Sequence, residues 1–388
     1  MATKKYINIG IDARCLEWQI GGVGKYLINF LKNLPNINTK YKFFLYFDSK
    51  IPDYDFLFHE SFTLRIVKSP SFLKSRSTLK YLFFTANQVR KDDLDLFFCT
   101  WFWSPFFMGK IKKIVAAWDI SFTSHPSHFS IRTRYISHFL SKKSCQKAEG
   151  VITCSEYDAQ QISDFYGVSI DKICVVYLAA DDCFDIRESK EQLDAIRRKY
   201  DLPNKFILSL GAIYTRRNID KIIHAFHAIK DAYPDFGLVI VGKNHTQPYI
   251  DIIKLLNPLV KQKRAVYLGR IDDEELPSLY QAAYTYICTS TVDGETIQLK
   301  EAMKSGVPVI TSTLLEKTIG GNGFIIADPT SIEETAAVIK HVINHNGNFE
   351  ELIKNAVVWN NNISWKKISI KTLKFMGKCT EVGSSSPT

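Results

Sequence analysis

Two adjacent arginines stand where an α/β chain could hold an anion. Arg216 and Arg217 lie in Gly211-Ala212-Ile213-Tyr214-Thr215-Arg216-Arg217-Asn218, between a strand-like run at 206–210 and a helix-like run at 219–229. In an open α/β sheet, ligands bind beyond the carboxyl ends of the strands, and guanidinium groups there make paired hydrogen bonds to phosphate oxygens. A diphosphate suits that pair; a solvated basic turn is the alternative. A second group, Asp293-Gly294-Glu295-Thr296, follows the run 284–290 and opens a helix-like stretch that carries Glu301. The amides at the start of such a helix can bind anionic oxygen. The Glu301 carboxylate, about two turns on, can accept the two vicinal hydroxyls of a ribose. Here the alternative is that Asp293 caps the helix and Glu301 is solvated.

Gly21-Gly22-Val23-Gly24 follows the first strand-like run and precedes a helical stretch. Gly22 and Gly24 would let the backbone approach a phosphate, although Leu27 replaces the third glycine of the dinucleotide fingerprint and Tyr26 follows Lys25 where a Walker loop needs Ser or Thr. A turn-forming glycine cluster is the other reading. Trp118 and Asp119, at the end of the run 113–118, offer a sugar one stacking surface and one acceptor. His125 lies on the next loop, before Pro126. For each of these, a cap or a turn is equally compatible. No His, Cys, Asp or Glu group has metal-ligand spacing; Asp93-Leu94-Asp95 has the Asp-x-Asp pattern of a metal-nucleotide site but begins a strand and reads as a strand cap.

These residues need elements to position them, and the chain alternates short β-branched or aromatic runs with longer amphipathic stretches, as βαβ units do. Strand-like runs fall at 6–12, 43–47, 64–67, 94–99, 113–118 and 150–154, and again at 206–210, 237–241, 265–268, 284–288, 308–311 and 323–326. The 388 residues exceed what one core usually supports. The expectation is α/β, with two doubly wound parallel-sheet domains at 1–178 and 179–358. A crossover helix at 359–380 would pack on the first domain, and 381–388 form a disordered polar tail.

Lys and Arg number 50 against 40 acidic residues, a net charge of +10, of which +9 falls in residues 1–180. Between Lys68 and Lys91, six basic residues are interleaved with Phe72, Tyr81, Phe83 and Phe84, and no acid intervenes. Such a segment can lie on an anionic bilayer, bind nucleic acid, or be a packed helix with solvated lysines. The eight cysteines include no Cys-x-x-Cys pair, which fits a reduced compartment. The most apolar stretch, 96–109, is interrupted by Ser104-Pro105 and is too short to span a bilayer. No export signal is visible. The expected location is cytoplasmic, peripheral on the inner face of the membrane.

Together these motifs resemble the retaining glycosyltransferases of family 4, also called group 1, whose two Rossmann-like domains face across a cleft (the GT-B fold). The resemblance runs from Ile9-Gly10-Ile11-Asp12-Ala13-Arg14 and Gly22-Val23-Gly24-Lys25-Tyr26, through Asp119, His125-Pro126 and 151–156, to the Gly211–Asn218 loop. Leu268-Gly269-Arg270 and Glu301-Ala302-Met303-Lys304-Ser305-Gly306-Val307-Pro308 are its most specific parts. Asp293 and Glu301 occupy the positions of the family's two glutamates, Gly294-Glu295-Thr296 that of its Gly-Phe-Gly, Arg217 that of a lysine, and Trp118 that of a histidine found in many members.

The resemblance implies front-face transfer of a hexose from a nucleotide-diphosphate sugar, with a mild lean to GDP-mannose, onto a saccharide or lipid-linked saccharide of a surface glycan. It implies no metal and no cofactor beyond that co-substrate. On this reading Asp293, Arg217 and Asp119 serve the chemistry. Arg216, Arg217, Gly294, Glu295, Thr296, Glu301, Gly22 and Gly24 bind the donor, and Trp118 and His125 meet the acceptor. The competing expectations are a catalytically silent scaffold that binds a nucleotide sugar or a partner enzyme, and a nucleotide-sugar epimerase; nucleic acid is the least favoured partner.

Overall fold

The computed structural model describes residues 6–18, 21–37, 40–68, 78–294, 296–319, 323–345 and 349–381. The chain forms two compact units, one running to Leu178 and resuming at Trp365, the other spanning Ala179–Ser364. The expected tail, 381–388, lies outside the described residues except for Glu381.

In the first unit the β-branched and aromatic runs become β1 (Ile7–Asp12), β2 (Tyr41–Phe47), β3 (Phe62–Ile66), β4 (Leu96–Cys99), β5 (Lys112–Ala116), β6 (Gly150–Thr153) and β7 (Ile173–Val175), ordered β3-β2-β1-β4-β5-β6-β7 and all parallel. Leu96, Phe97, Phe98 and Cys99 are all fully buried, as expected of a central strand covered on both faces. The order reverses between β1 and β4. That is the point where a doubly wound sheet opens a crevice beyond its strand ends.

The second unit repeats the plan with β8 (Lys205–Leu210), β9 (Phe236–Val241), β10 (Ala265–Leu268), β11 (Thr285–Cys288), β12 (Val309–Ser312) and β13 (Ile325–Ala327), ordered β10-β9-β8-β11-β12-β13. Alternate residues of β8 serve opposite layers. Phe206 and Leu208 pack with Tyr280, Tyr286 and Met303, while Ile207 packs with Ile222, Phe226 and Ile339. Its reversal lies between β8 and β11, the two strands that lead into Arg216-Arg217 and Asp293.

The returning helix, Trp365–Glu381, packs on the first unit. Tyr26 and Thr372 share a hydrogen bond at 3.1 Å, and a Cβ on Gly150 would collide with the Phe375 ring. It starts later than the expected 359. A separate helix, Glu350–Asn361, ends at the Asn run, and Lys300 sits 4.6 Å over the Trp359 ring, which ties that residue to the second unit. β7 has only three residues, too few to show a period of two, and is absent from the expected strands.

Among the described residues no helix is long and apolar enough to cross a membrane. Burial pushes the Cys15 and Cys145 thiols up to about 12 and the Tyr26, Tyr280 and Tyr286 hydroxyls above their ordinary range. The unfolded chain therefore loses these protons first. Stability should fall with rising pH from about pH 8.5 as unfolded thiols ionise, and more steeply above about pH 10. Equal urea midpoints at about pH 8 and pH 11 would contradict this.

Candidate active site

The loops after β8 and β11 are stitched together at the second unit's crevice. Gly211, with φ +128°, ends β8 in a conformation that favours glycine, and the Arg217 guanidinium fills the place its Cβ would take. The chain then turns through Thr215–Arg217 into Asn218, which is left-handed at φ +53°. Asn218 Nδ2 donates to the Thr289 carbonyl at 2.8 Å, and the Thr291 amide donates to the Arg216 carbonyl at 2.8 Å. This brings both arginines onto Asp293. Arg216 Nη2 lies 3.4 Å from Oδ1, and Arg217 Nε and Nη2 each lie 3.1 Å from Oδ2. Burial opposes the Arg217 charge, but Asp293 more than offsets it and raises the guanidinium pKa above its ordinary value.

Arg216 stacks 4.2 Å over the Tyr214 ring, and its buried Nε has no hydrogen-bond partner. A buried cationic N–H left unpaired favours an anionic acceptor. Thr296 precedes the helix Ile297–Lys304 and is buried, with its hydroxyl 3.4 Å from the Gly294 carbonyl. Glu295 lies outside the described residues. Glu301 is only 1% exposed, and its Oε2 accepts from the Tyr280 hydroxyl at 3.0 Å. Burial, then the Glu301 charge, pushes the Tyr280 hydroxyl well above its ordinary range, so it stays a donor at neutral pH. The solvated alternative for Glu301 is thus excluded. A ribose would have to meet a carboxylate already held by Tyr280.

In the first unit Gly22 and Gly24 open the helix Gly22–Asn33 behind an extended Gly21. The same unit also holds a buried charge network. Asp12 takes two 2.8 Å bonds from Arg14, whose guanidinium stacks 3.4 Å from the centre of the Tyr81 ring. Lys80 pairs with Asp48 at 2.8 Å, and Glu17 accepts from the amides of Asp48, Ser49 and Lys50. Lys80 therefore leaves the basic surface proposed for 68–91, and 69–77 lie outside the described residues.

Trp118 is a core ring, 7% exposed and 4.6 Å from the Tyr26 ring, and its indole N–H donates to the Thr100 carbonyl at 3.0 Å. It has no open stacking face: beyond the end of β5 it packs against the Tyr26 ring inside the first unit. Asp119 Oδ1 accepts from the Ser121 amide at 2.9 Å and hydroxyl at 2.6 Å, at the start of the short helix Ser121–Ser124. His125 Nδ1 lies 2.9 Å from Ser124 Oγ. Asp95 takes the Asn8 amide at 2.8 Å, as a strand-edge cap would. Among the described residues no group of three or more His, Cys, Asp or Glu could hold a metal ion.

The pattern of the family described as Glycosyl transferases group 1 matches residues 192–359, and that of Glycosyltransferase Family 4 matches 20–182. The chain belongs to the group 1, family 4 glycosyltransferases. This glycosyltransferase is 26% identical over 267 residues to O-antigen chain mannosyltransferase B of Escherichia coli, covering 68% of this chain and 69% of that one. It is 24% identical over 225 residues to the serotype-specific mannosyltransferase WbdA of Escherichia coli, covering 57% of this chain but only 28% of that protein's length. The structure of Anabaena Alr3699/HepE in complex with UDP and glucose matches the fold with a TM-score of 0.73 at 16% identity, over 96% of this chain and 99% of that one.

In this glycosyltransferase, sequence reasoning missed Tyr214, whose ring carries Arg216 and stacks on His245 with centroids 5.6 Å apart. Only a three-dimensional contact joins Tyr214 to His245, so no local spacing announces it. Replacing Trp118 with Ala should cost the enzyme about 3–5 kcal/mol, the usual range for emptying a buried aromatic site. Urea unfolding measures this; a loss below about 1 kcal/mol would return Trp118 to the surface.

Proposed function

We propose that the protein transfers a hexose, with retention at the anomeric carbon, from a nucleotide-diphosphate sugar to a saccharide acceptor in O-antigen or similar surface-glycan assembly. The observation that carries this is the convergence of Arg216 and Arg217 at the β8 and β11 strand ends, with a buried Arg216 N–H left without an acceptor. The leaving group is a nucleoside diphosphate anion, and fixed guanidinium groups stabilise charge as it develops. Those two charges take the role a metal ion fills in other transferases, and no cofactor is needed beyond the co-substrate. Asp293 contacts the transferred sugar and its oxocarbenium-like centre, and Glu301 holds the ribose. Gly22, Gly24, Asp119 and His125 serve the first unit's side of the reaction. The mannosyltransferase relatives support GDP-mannose as donor. The excess charge of the first half supports a cytoplasmic enzyme working on a lipid-linked acceptor at an anionic membrane.

Purified protein incubated with a panel of nucleotide sugars and membrane-lipid extract should release nucleoside diphosphate with one donor and only in the presence of acceptor. Donor conversion without acceptor would instead indicate an epimerase. A second reading, a silent nucleotide-sugar-binding scaffold, is favoured by two contacts: both arginines are occupied by Asp293, and Glu301 is held by Tyr280. Stabilisation by nucleoside diphosphate without turnover on any donor would establish that reading.

A further inference from the structure

We propose that the helix Ile131–Gln146 is the face on which the first unit rests against an anionic lipid bilayer. The inference rests on the membrane-linked acceptor of the proposed function for its purpose, but on this helix's side chains for its evidence. The helix has little hydrophobic periodicity, but it packs in the reverse of the usual sense. Its buried positions are small, Ser137, Ser141, Ser144 and Cys145, while four of its large apolar side chains point to solvent and Leu140 is half-buried. Ile131 is 76% exposed, Tyr135 63%, Phe139 59% and Ile136 44%. At about 100° per residue these four fall within an arc of about 140°. A core-facing helix would have those residues turned inward.

The charge on this face selects the occupant. The helix carries Arg132, Arg134, Lys142 and Lys143 and no acidic residue. Two of these cations lie over the exposed rings themselves, Arg134 over Tyr135 at 5.3 Å and Lys143 over Phe139 at 5.9 Å. Apolar side chains interleaved with cations suit the boundary between acyl chains and anionic headgroups. Aliphatic and aromatic groups enter the hydrocarbon edge while Arg and Lys stay with phosphate. The segment 68–91, which has a similar composition, is a weaker candidate because Lys80 is committed to Asp48 inside the fold.

The test sediments the full chain with vesicles of phosphatidylcholine alone, and of phosphatidylcholine containing phosphatidylglycerol, at low and high salt. The protein should partition onto the phosphatidylglycerol vesicles and be weakened by salt. The variant I131S/Y135S/F139S should bind at least about tenfold less, and R132Q and K143Q each about fivefold less. All five side chains are exposed, so thermal midpoints should match the unmodified protein and separate lost binding from lost folding. Equal binding of the triple variant, equal binding to both vesicle types, or no vesicle binding by the unmodified chain would each overturn the proposal. So would a self-associated form that the triple variant dissolves without any vesicle binding, since the face would then belong to a second copy. Stabilisation by nucleoside diphosphate, read in parallel, reports on the donor site alone. Its absence would count against the proposed function and leave the vesicle result standing.

Discussion

Replacing Arg217 with Ala should lower turnover by about 10²-fold or more, the usual cost of losing one fixed charge donor to a developing anion. Arg217 is the better held of the two arginines, making two 3.1 Å contacts to one Asp293 oxygen with its guanidinium set against Gly211. On the proposed mechanism, preorganisation of that kind would stabilise a leaving diphosphate without further rearrangement. Arg217→Lys restores the charge but not the planar fork, so it should recover only part of the loss. Steady-state kinetics with the best donor from the panel give the measurement. An R217A enzyme with unchanged turnover would remove this residue from the chemistry.

Replacing Asp293 with Ala should act on stability and turnover together. The carboxylate is the shared partner of two guanidinium groups whose side chains are 19% and 11% exposed. Removing one partner of a fully buried pair costs about 3–5 kcal/mol; with this residual exposure we expect about 2–4 kcal/mol. A nucleoside diphosphate would then supply the missing negative charge, so it should raise the melting temperature of D293A more than that of the unmodified protein. On the proposed mechanism turnover should fall by about 10²-fold or more, because the positive centre on the sugar would lose its counter-charge. If D293A is as stable as the parent, responds to nucleotide in the same way and keeps its rate, Asp293 is a bystander.

Much of the architecture was legible in the sequence because strands of a doubly wound sheet are buried on both faces and appear as short apolar runs separated by helical stretches. The 94–99 run, central in the first sheet, is the clearest case. The basic pair and the Asp293 loop were legible for the same reason: both directly follow such runs, so their place beyond the strand ends comes with the topology. What escaped the sequence depends on which way a side chain turns. Trp118 and Asp119 are neighbours, yet one faces the Tyr26 core and the other holds Ser121 at the start of a helix. Lys80 counts as surface charge until Asp48, more than thirty residues earlier, meets it inside the fold. The reversal of the helix Ile131–Gln146 escaped as well, since its serines and large apolar residues give no strong period, and only the packed sheet shows which set is buried.

The return of the helix Trp365–Glu381 to the first unit has a consequence for biosynthesis. Tyr26 waits for Thr372, and Gly150 for Phe375, so the unit made first is the unit completed last. At ordinary ribosomal speeds, making the whole of the second unit takes roughly 10–40 s. Throughout that interval the emerging first unit lacks its covering helix. A chaperone or the growing chain's own solubility must protect it, and a messenger cut short near its end damages the beginning of the protein.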